Sequence, residues 1–226
     1  MVINIDQIEH RYTPVSVLVI HQNDTQSYRA DQNLPNIVVT RHSVYEDGSI
    51  GAGSPLTEEF VCAIGSHLLP LDIIHERVIA QSANIMIWWR PACVSRLTFA
   101  KSTGIASGKY PVPPLLFMLD GTMLFNWALR DNSRPVRETK LYRSPFFNIY
   151  DNGRCCMGDI NIPDTANIEK WEDIFVGGRC TKELPPTFKN GNPRDVWNQL
   201  KGKAVFPVET LRGTGETVKS VIERQR

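Results

Sequence analysis

The sequence predicts an α+β fold in which an antiparallel sheet is followed by a cysteine-bearing loop and by C-terminal helices. Runs rich in Val, Ile, Thr and Tyr alternate with turn signals up to residue 50, as short strands do. Further strand-like runs follow residue 79, and Asp120-Gly121 between two of them is a strong hairpin signal. Apolar residues recur at helical spacing after residue 54 and again after residue 192.

Length and composition allow one domain with an extension. The chain has 226 residues, 42% of them hydrophobic, which is enough to bury a full core. We predict a β-rich segment at residues 1–53 and a main domain at residues 54–226. The 25 basic residues nearly balance the 24 acidic residues, so the formal charge of +1 favours neither a nucleic acid nor an anionic membrane as a partner.

No targeting or export signal is evident. The apolar run at residues 14–20 is too short to span a bilayer and lacks the basic flank and cleavage site of a signal peptide. Five cysteines form an odd set without a regular framework, which suits a reducing compartment. We therefore expect a cytoplasmic protein without a membrane partner.

The N-terminal elements are predicted from local signals. Strands are expected at residues 14–20, 26–30, 36–45 and 48–50. The Gly-rich stretch after residue 50 should end these strands and start a helix that runs to about His67. Ser54 is suited to be its N-cap, Pro55 to be its first residue, and Glu58 and Glu59 favour the positive end of the helix dipole.

The main domain should contain four strands and two late helices. Strands at residues 84–89, 95–100, 115–119 and 122–128 are interpreted as an antiparallel meander. Residues 161–190 are rich in Pro and Gly and are expected to form an irregular loop that aromatic contacts hold in place. One helix should begin at Asn192-Pro193, with Val196, Trp197 and Leu200 on one face, and another at Gly215-Glu216.

The segment from Ser144 to Met157 carries the main chemical signal. Asn148 and Tyr150 precede an Asp-Asn-Gly turn, and Cys156 follows Tyr150 by six residues. The neighbouring thiols of Cys155 and Cys156 would point in opposite directions on an extended chain, so one can be buried while the other is reactive. Because a thiolate is the attacking species, an exposed thiol of this pair is a candidate nucleophile.

This segment resembles the active-site loop of ubiquitin-conjugating enzymes, which reads His-Pro-Asn, an aliphatic residue, Tyr, a short turn and then the nucleophilic Cys. Asn148, Tyr150 and Cys156 match, whereas Phe146 and Phe147 stand in place of His and Pro. Upstream, Tyr110-Pro-Val-Pro-Pro114 resembles the strand entry that precedes the same loop. Over roughly residues 80–212 the chain is similar to a divergent bacterial family of such proteins, PRTRC system protein B, found in mobile-element gene clusters. Trp88-Trp89-Arg90-Pro91 and Leu141-Tyr142 are among the residues that carry this similarity.

The resemblance implies the ubiquitin-conjugating fold, whose order of helix, meander, cysteine loop and helices agrees with the predicted elements. It also implies a transferase that carries a ubiquitin-like protein as a thioester on Cys156 and passes it to an amine. Asn148 would stabilise the oxyanion, with Tyr150 and Cys155 as supporting residues. An adenylating activating enzyme and a ubiquitin-like protein are the implied partners, with a metal-dependent isopeptidase as a further one.

Two departures from the family pattern keep other functions open. The family's Phe-Thr-His motif corresponds to Cys180-Thr181-Lys182, so Thr181 could support the site and Lys182 replaces a histidine. A non-catalytic relative that acts as a plasmid-maintenance scaffold or binds a ubiquitin-like protein is the alternative. A cysteine hydrolase would require a histidine within hydrogen-bond reach of Cys156.

No cofactor or metal is predicted. The segment from Gly104 to Lys109 is one residue too short for a phosphate-binding loop, and Tyr110 stands where Ser or Thr would be required. Cys155, Cys156 and Cys180 lack the Cys-x-x-Cys spacing that is typical of zinc sites.

Overall fold

The fold is known from a computed structural model that describes residues 13–22, 37–68, 73–82, 84–158 and 167–224. The chain forms two compact units, residues 1–73 and 74–226. The division after residue 53 that the sequence suggests stays a prediction. Across the described residues, no helix is both long and apolar enough to cross a membrane.

The first unit is a three-stranded antiparallel sheet followed by a helix. Its strands are β1 (Ser16–Gln22), β2 (Ile37–Val44) and β3 (Ile50–Pro55), in that spatial order, and its helix is α1 (Glu58–Leu68). The strands predicted near residues 14–20 and 36–45 are confirmed, whereas the one at residues 26–30 lies outside the described residues. Glu58 and Glu59 occupy the first turn of α1, as predicted.

The predicted start of α1 was wrong by three residues. Ser54 and Pro55 belong to β3, where they pair with Arg41 and Thr40 of β2, and the side-chain oxygen of Thr57 accepts a hydrogen bond of 3.3 Å from the Phe60 N–H. The Gly-rich segment continues the sheet because its glycines leave room for the side chains of β2. A Cβ atom on Gly53, for example, would lie only 2.8 Å from the His42 ring.

The second unit is built on a six-stranded antiparallel sheet with a smaller sheet beside it. Its nine strands are β4 (Val78–Gln81), β5 (Ile85–Arg90), β6 (Cys93–Phe99), β7 (Gly108–Val112), β8 (Leu115–Asp120), β9 (Met123–Ala128), β10 (Lys140–Arg143), β11 (Arg179–Cys180) and β12 (Gly213–Thr217). The large sheet has the order β12-β10-β9-β8-β5-β4, and the small sheet has the order β11-β6-β7. These strand counts refer to the described residues of this unit, 74–82, 84–158 and 167–224.

The predicted four-stranded meander is wrong in its pairing. The hairpin of β8 and β9 around Asp120-Gly121 is confirmed, but β5 pairs with β8 across the intervening residues, and β6 pairs with β7 in the smaller sheet. Residues 115–119 are buried on both faces of their strand, so β8 takes a central position with a partner on either side. The strand β7 was missed because Pro111 interrupts its pattern, and it lies at the edge of its sheet, where proline is tolerated.

Among the described residues of the second unit there are three α-helices: α2 (Ile168–Gly177), α3 (Pro193–Leu200) and α4 (Val218–Glu223). The start of α3 at Asn192-Pro193 is confirmed, since the Asn192 side chain accepts a hydrogen bond of 2.9 Å from the Arg194 N–H. The other late helix begins at Val218 instead of Gly215, because residues 213–217 pair with β10 and Thr217 forms a capping box with Ser220.

The prediction of an irregular loop over residues 161–190 was wrong for its central part, where α2 lies. The Asn167 side chain caps this helix by accepting a hydrogen bond of 2.9 Å from the Lys170 N–H. Ile168 and Trp171 are buried, and Phe175 follows at helical spacing. This apolar stripe is the signal that the abundance of Pro and Gly around it concealed.

The large sheet buries both of its faces. On one face Trp88 stacks on Phe117, with ring centroids 5.2 Å apart, and Phe175 of α2 meets Phe117 edge to face at 5.1 Å. The other face carries a second apolar cluster that includes residues of α4: Ile87, Leu116, Met118, Trp127, Leu129, Leu141, Val218 and Val221. Trp88 and Trp127 are therefore core residues.

A buried carboxylate connects α2 to the large sheet. Glu172 of α2 receives ion pairs from Arg77 at 2.6 Å and from Arg90 at 3.3 Å. The indole N–H of Trp88 donates a further hydrogen bond of 3.1 Å to the same carboxylate. Because α2 also contributes to the groove described below, this cluster helps to position one side of the site.

Candidate functional site

The cysteine loop is held against strand β9 by main-chain hydrogen bonds. The Cys155 N–H donates to the Leu124 carbonyl at 2.8 Å, and the Asn126 N–H donates to the Gly153 carbonyl at 2.8 Å. Within the loop, Tyr150 and Arg154 close a turn with a hydrogen bond of 2.9 Å from the Tyr150 N–H. The main chain that carries the thiols is therefore fixed to β9 by hydrogen bonds.

Gly153 allows this loop to approach the sheet closely. Its φ of 88° lies in the left-handed region, which glycine adopts without strain. A Cβ atom at this position would stand 2.7 Å from the Trp127 ring. The turn before the cysteines thus requires glycine for both its conformation and its packing.

Asn148 joins the two chain segments that border the candidate site. Its side-chain N–H donates to the Arg179 carbonyl at 2.9 Å, and its side-chain oxygen accepts from the Thr181 hydroxyl at 2.7 Å and from the Thr181 N–H at 3.3 Å. Its own carbonyl accepts the Cys156 N–H at 2.7 Å. With a φ of 63°, Asn148 is the only non-glycine residue among the described ones in the left-handed region.

The two neighbouring thiols differ sharply in their surroundings. Cys156 is exposed, whereas Cys155 is buried with a residual exposure of 6%. Burial, with a smaller contribution from the charge of a neighbouring Cys156 thiolate, raises the pKa of the Cys155 thiol far above its ordinary value. Cys155 therefore stays a neutral thiol, and Cys156 is the sulfur that a macromolecular substrate can reach.

The two phenylalanines in place of His-Pro anchor the loop through packing. The ring centroids of Phe146 and Phe175 lie 5.0 Å apart in an edge-to-face arrangement, and those of Phe146 and Trp197 lie 5.7 Å apart. The ring centroids of Phe147 and Phe99 are 6.0 Å apart. The Trp197 indole N–H also donates to the Pro145 carbonyl at 2.9 Å. Buried aromatic contacts and this hydrogen bond hold the start of the loop.

Cys156 opens onto a groove of about 490 Å³. One side is formed by the loop itself, another by Ile174 and Phe175 of α2, and a third by residues 178–181, 183 and 184. Cys180, which also lines the groove, is buried, and burial raises the pKa of its thiol to about 11. The groove thus combines apolar walls with one exposed thiol and the amide of Asn148.

The structure brings some of the predicted site residues together and separates others. Cys156, Asn148, Thr181 and the buried Cys155 all line the same groove. Tyr150 is 46% exposed and lines a different, smaller depression, and Lys182 is exposed and absent from the groove lining. Sequence reasoning missed the groove residues Ile174, Phe175, Arg179, Glu183 and Leu184, of which only the apolar stripe of α2 left a readable signal.

The histidine of the second unit is engaged elsewhere. His75 is the only histidine in residues 74–226, and its Nε2 atom lies 3.1 Å from a Glu169 carboxylate oxygen. Its Nδ1 atom accepts a hydrogen bond of 3.0 Å from the Arg77 N–H. Among the residues that the structure describes, no histidine lines the groove of Cys156.

Comparison with known proteins adds the class of protein. A model of prokaryotic E2 family D matches residues 56–214, which include the cysteine loop, the groove and every strand of the second unit except most of β12. The chain therefore belongs to prokaryotic E2 family D, and it is a relative of ubiquitin-conjugating proteins. Neither a search of curated proteins nor a search of solved structures found a match.

Proposed function

We propose that this protein accepts a ubiquitin-like protein from an activating enzyme as a thioester on Cys156 and transfers it to an amine. The observation that carries the proposal is the exposed thiol of Cys156, next to the buried Cys155, on a loop that main-chain hydrogen bonds hold to β9. Prokaryotic E2 family membership supports this chemistry. The similarity to PRTRC system protein B suggests the partners, namely an adenylating activating enzyme, a ubiquitin-like protein and a metal-dependent isopeptidase.

Charging exchanges one thioester for another. The Cys156 thiolate attacks the carbonyl carbon of the thioester on the activating enzyme, forming a new C–S bond while the old C–S bond breaks. The departing thiolate takes up the proton that Cys156 gave up. Discharge then forms a C–N bond to the acceptor amine and breaks the C–S bond to Cys156, and the amine loses its proton as the thiolate leaves.

Asn148 is the proposed stabiliser of the oxyanion in both steps. One of its two side-chain N–H groups is used by the Arg179 carbonyl, and among the described residues the other has no acceptor. Thr181 fixes the orientation of this amide by donating to its oxygen. A positioned N–H of this kind is worth roughly 100- to 1,000-fold in rate when it meets a developing oxyanion.

A charging assay tests the proposal. The protein is incubated with ATP, the activating enzyme and the ubiquitin-like protein encoded beside it, and adducts are separated with and without reductant. We expect a reductant-sensitive adduct on the native chain and on Cys155→Ala, none on Cys156→Ala, and a reductant-resistant oxyester on Cys156→Ser. The activating enzyme must be shown to charge itself in the same reaction.

The same assay decides between carrier and scaffold. If the activating enzyme is charged but no variant of this protein forms an adduct, the carrier proposal is wrong. The non-catalytic scaffold then takes its place, and partner binding that survives alkylation of Cys156 would support it. A cysteine hydrolase has no support in the groove, because no histidine lines it among the residues that the structure describes.

A further inference from the structure

The outer face of the small sheet carries one cation on each of its three strands. Arg96 of β6 is paired directly with Lys109 of β7, and Thr98 of β6 is paired with Arg179 of β11. Directly paired residues share a face of a sheet, and so do Arg96 and Thr98, which are two residues apart on one strand. The side chains of Arg96, Lys109 and Arg179 therefore project from the same face, and all three residues are exposed.

This row of cations continues past the edge of β7 and begins at the groove of the candidate site. The Gly202 N–H donates a hydrogen bond of 3.0 Å to the Lys109 carbonyl, which brings the exposed residues Lys201 and Lys203 to the edge of β7. At the other end of the row, Arg179 is one of the residues that line the groove. We call the following five residues the basic row: Arg179, Arg96, Lys109, Lys201 and Lys203.

The pairing of Arg96 with Lys109 is unfavourable in the free protein. The Lys109 carbonyl points away from β6 toward Gly202, so the two residues form a non-hydrogen-bonded pair, the type in which facing side chains are closest. Like charges directly opposite each other on a sheet are destabilising. Acidic groups of a partner would relieve this repulsion.

The protein itself supplies little compensating negative charge. The chain has no Asp or Glu from residue 91 to residue 119. Glu183 lines the groove and Asp195 lies in the first turn of α3, but among the described residues no carboxylate forms an ion pair with a member of the basic row. The row therefore keeps an excess of positive charge.

We propose that the basic row is a docking surface for an acidic face of a partner protein, which it holds beside the Cys156 thiol. The inference rests on the proposed function, since a carrier must keep a protein next to its thiol during transfer. Carboxylates of the partner would meet guanidinium and ammonium groups that are free of other ion pairs within the described residues. Each such contact contributes little affinity, but a row of them speeds association and fixes orientation.

A nucleic acid fits this surface less well than an acidic protein does. A nucleic-acid-binding domain is strongly basic as a whole, whereas this chain has a formal charge of +1. On the outer face of the three described strands no aromatic side chain is available for a base to stack on, because Phe99 and Tyr110 are buried. An acidic protein surface needs only the local charge complementarity that the basic row provides.

Fluorescence anisotropy of a labelled poly-glutamate peptide, titrated with the intact chain at low ionic strength, tests the surface. We expect the native chain to bind the peptide and its affinity to fall as salt is added, because salt screens exposed charges. Arg96→Gln/Lys109→Gln/Arg179→Gln should weaken binding by about tenfold or more, since each exposed ion pair is worth roughly two- to fivefold. This triple variant removes the like-charge pair, so we expect it to fold at least as well as the native chain.

Arg137→Gln/Lys140→Gln/Lys219→Gln is the matched control, because it removes the same number of charges from exposed positions of the same unit. Arg137 and Lys219 lie near Glu223, at 3.9 and 3.8 Å, and none of the three residues belongs to the basic row. Peptide affinity should stay within about twofold of the native value. The proposal is overturned if the native chain does not bind the peptide, if both triple variants lose affinity equally, or if duplex DNA binds more tightly through the same three residues.

The charging assay separates a failure of this proposal from a failure of the carrier function. If charging fails while the native chain binds the peptide through the basic row, the carrier proposal is wrong and the docking surface stands. If charging proceeds at the native rate in the Arg96→Gln/Lys109→Gln/Arg179→Gln variant and this variant also binds the peptide as the native chain does, the docking surface is wrong.

Discussion

The Cys156 N–H donates a hydrogen bond of 2.7 Å to the Asn148 carbonyl, so the proposed nucleophile and the proposed oxyanion stabiliser are linked through their main chains. The Asn148 side chain in turn is bound to Arg179 and Thr181 across the groove. A change at Asn148 will therefore affect loop stability as well as any chemistry at the thiol. Stability and transfer must be measured separately.

Asn148→Ala should lower the free energy of unfolding by about 4–5 kcal/mol, as measured by urea denaturation. The variant loses side-chain hydrogen bonds worth about 1 kcal/mol each and forces alanine into a left-handed conformation that costs about 1–2 kcal/mol. Asn148→Gly is the matched control, since it loses the same bonds without the backbone strain. Equal losses in the two variants would show that the φ of 63° contributes nothing.

The two thiols of the loop should differ in reactivity. At pH 8 we expect iodoacetamide to modify Cys156 at least about tenfold faster than Cys155, because burial raises the Cys155 pKa and keeps that thiol protonated. The rates are measured by mass spectrometry on Cys155→Ala and Cys156→Ala, each of which leaves one thiol of the pair. Comparable rates would contradict the buried position of Cys155.

Gly153→Ala should destabilise the protein by about 3 kcal/mol or more. The new methyl group would meet the Trp127 ring at 2.7 Å, and left-handed strain and overpacking each cost about 1–2 kcal/mol or more. Gly121→Ala is the control, since Gly121 is also left-handed at 56° but has open space around it. Its loss, also read from urea denaturation, should be about 1 kcal/mol. A Gly153→Ala loss no larger than this would mean that the loop can move away from Trp127.

Glu172→Gln should lower the free energy of unfolding by about 3–5 kcal/mol, because it leaves the charges of Arg77 and Arg90 without their buried partner. Glu169→Gln on the same helix should cost less than about 1 kcal/mol, since its side chain is 49% exposed. Thermal or urea unfolding of both variants provides the comparison. Similar losses would show that the Glu172 cluster is as well hydrated as a surface pair.

Local signals were sufficient for several elements of this fold. The Asp-Gly turn between β8 and β9 and the Asn192-Pro193 start of α3 depend on backbone preferences that neighbouring residues decide, and both were predicted correctly. Pairing across long stretches of chain was not predictable in this way. The partner of β5 is β8 because residues 115–119 can be buried on both faces, a property of the assembled sheet.

The sequence by itself determined the candidate nucleophile and the proteins that this chain resembles, because the spacing of Asn148, Tyr150 and Cys156 is a local pattern. Only the tertiary structure decided which cysteine is exposed and which residues share a groove with it. Exposure depends on what packs against each side chain, and Thr181 reaches Asn148 only because residues 179–184 fold back onto the loop.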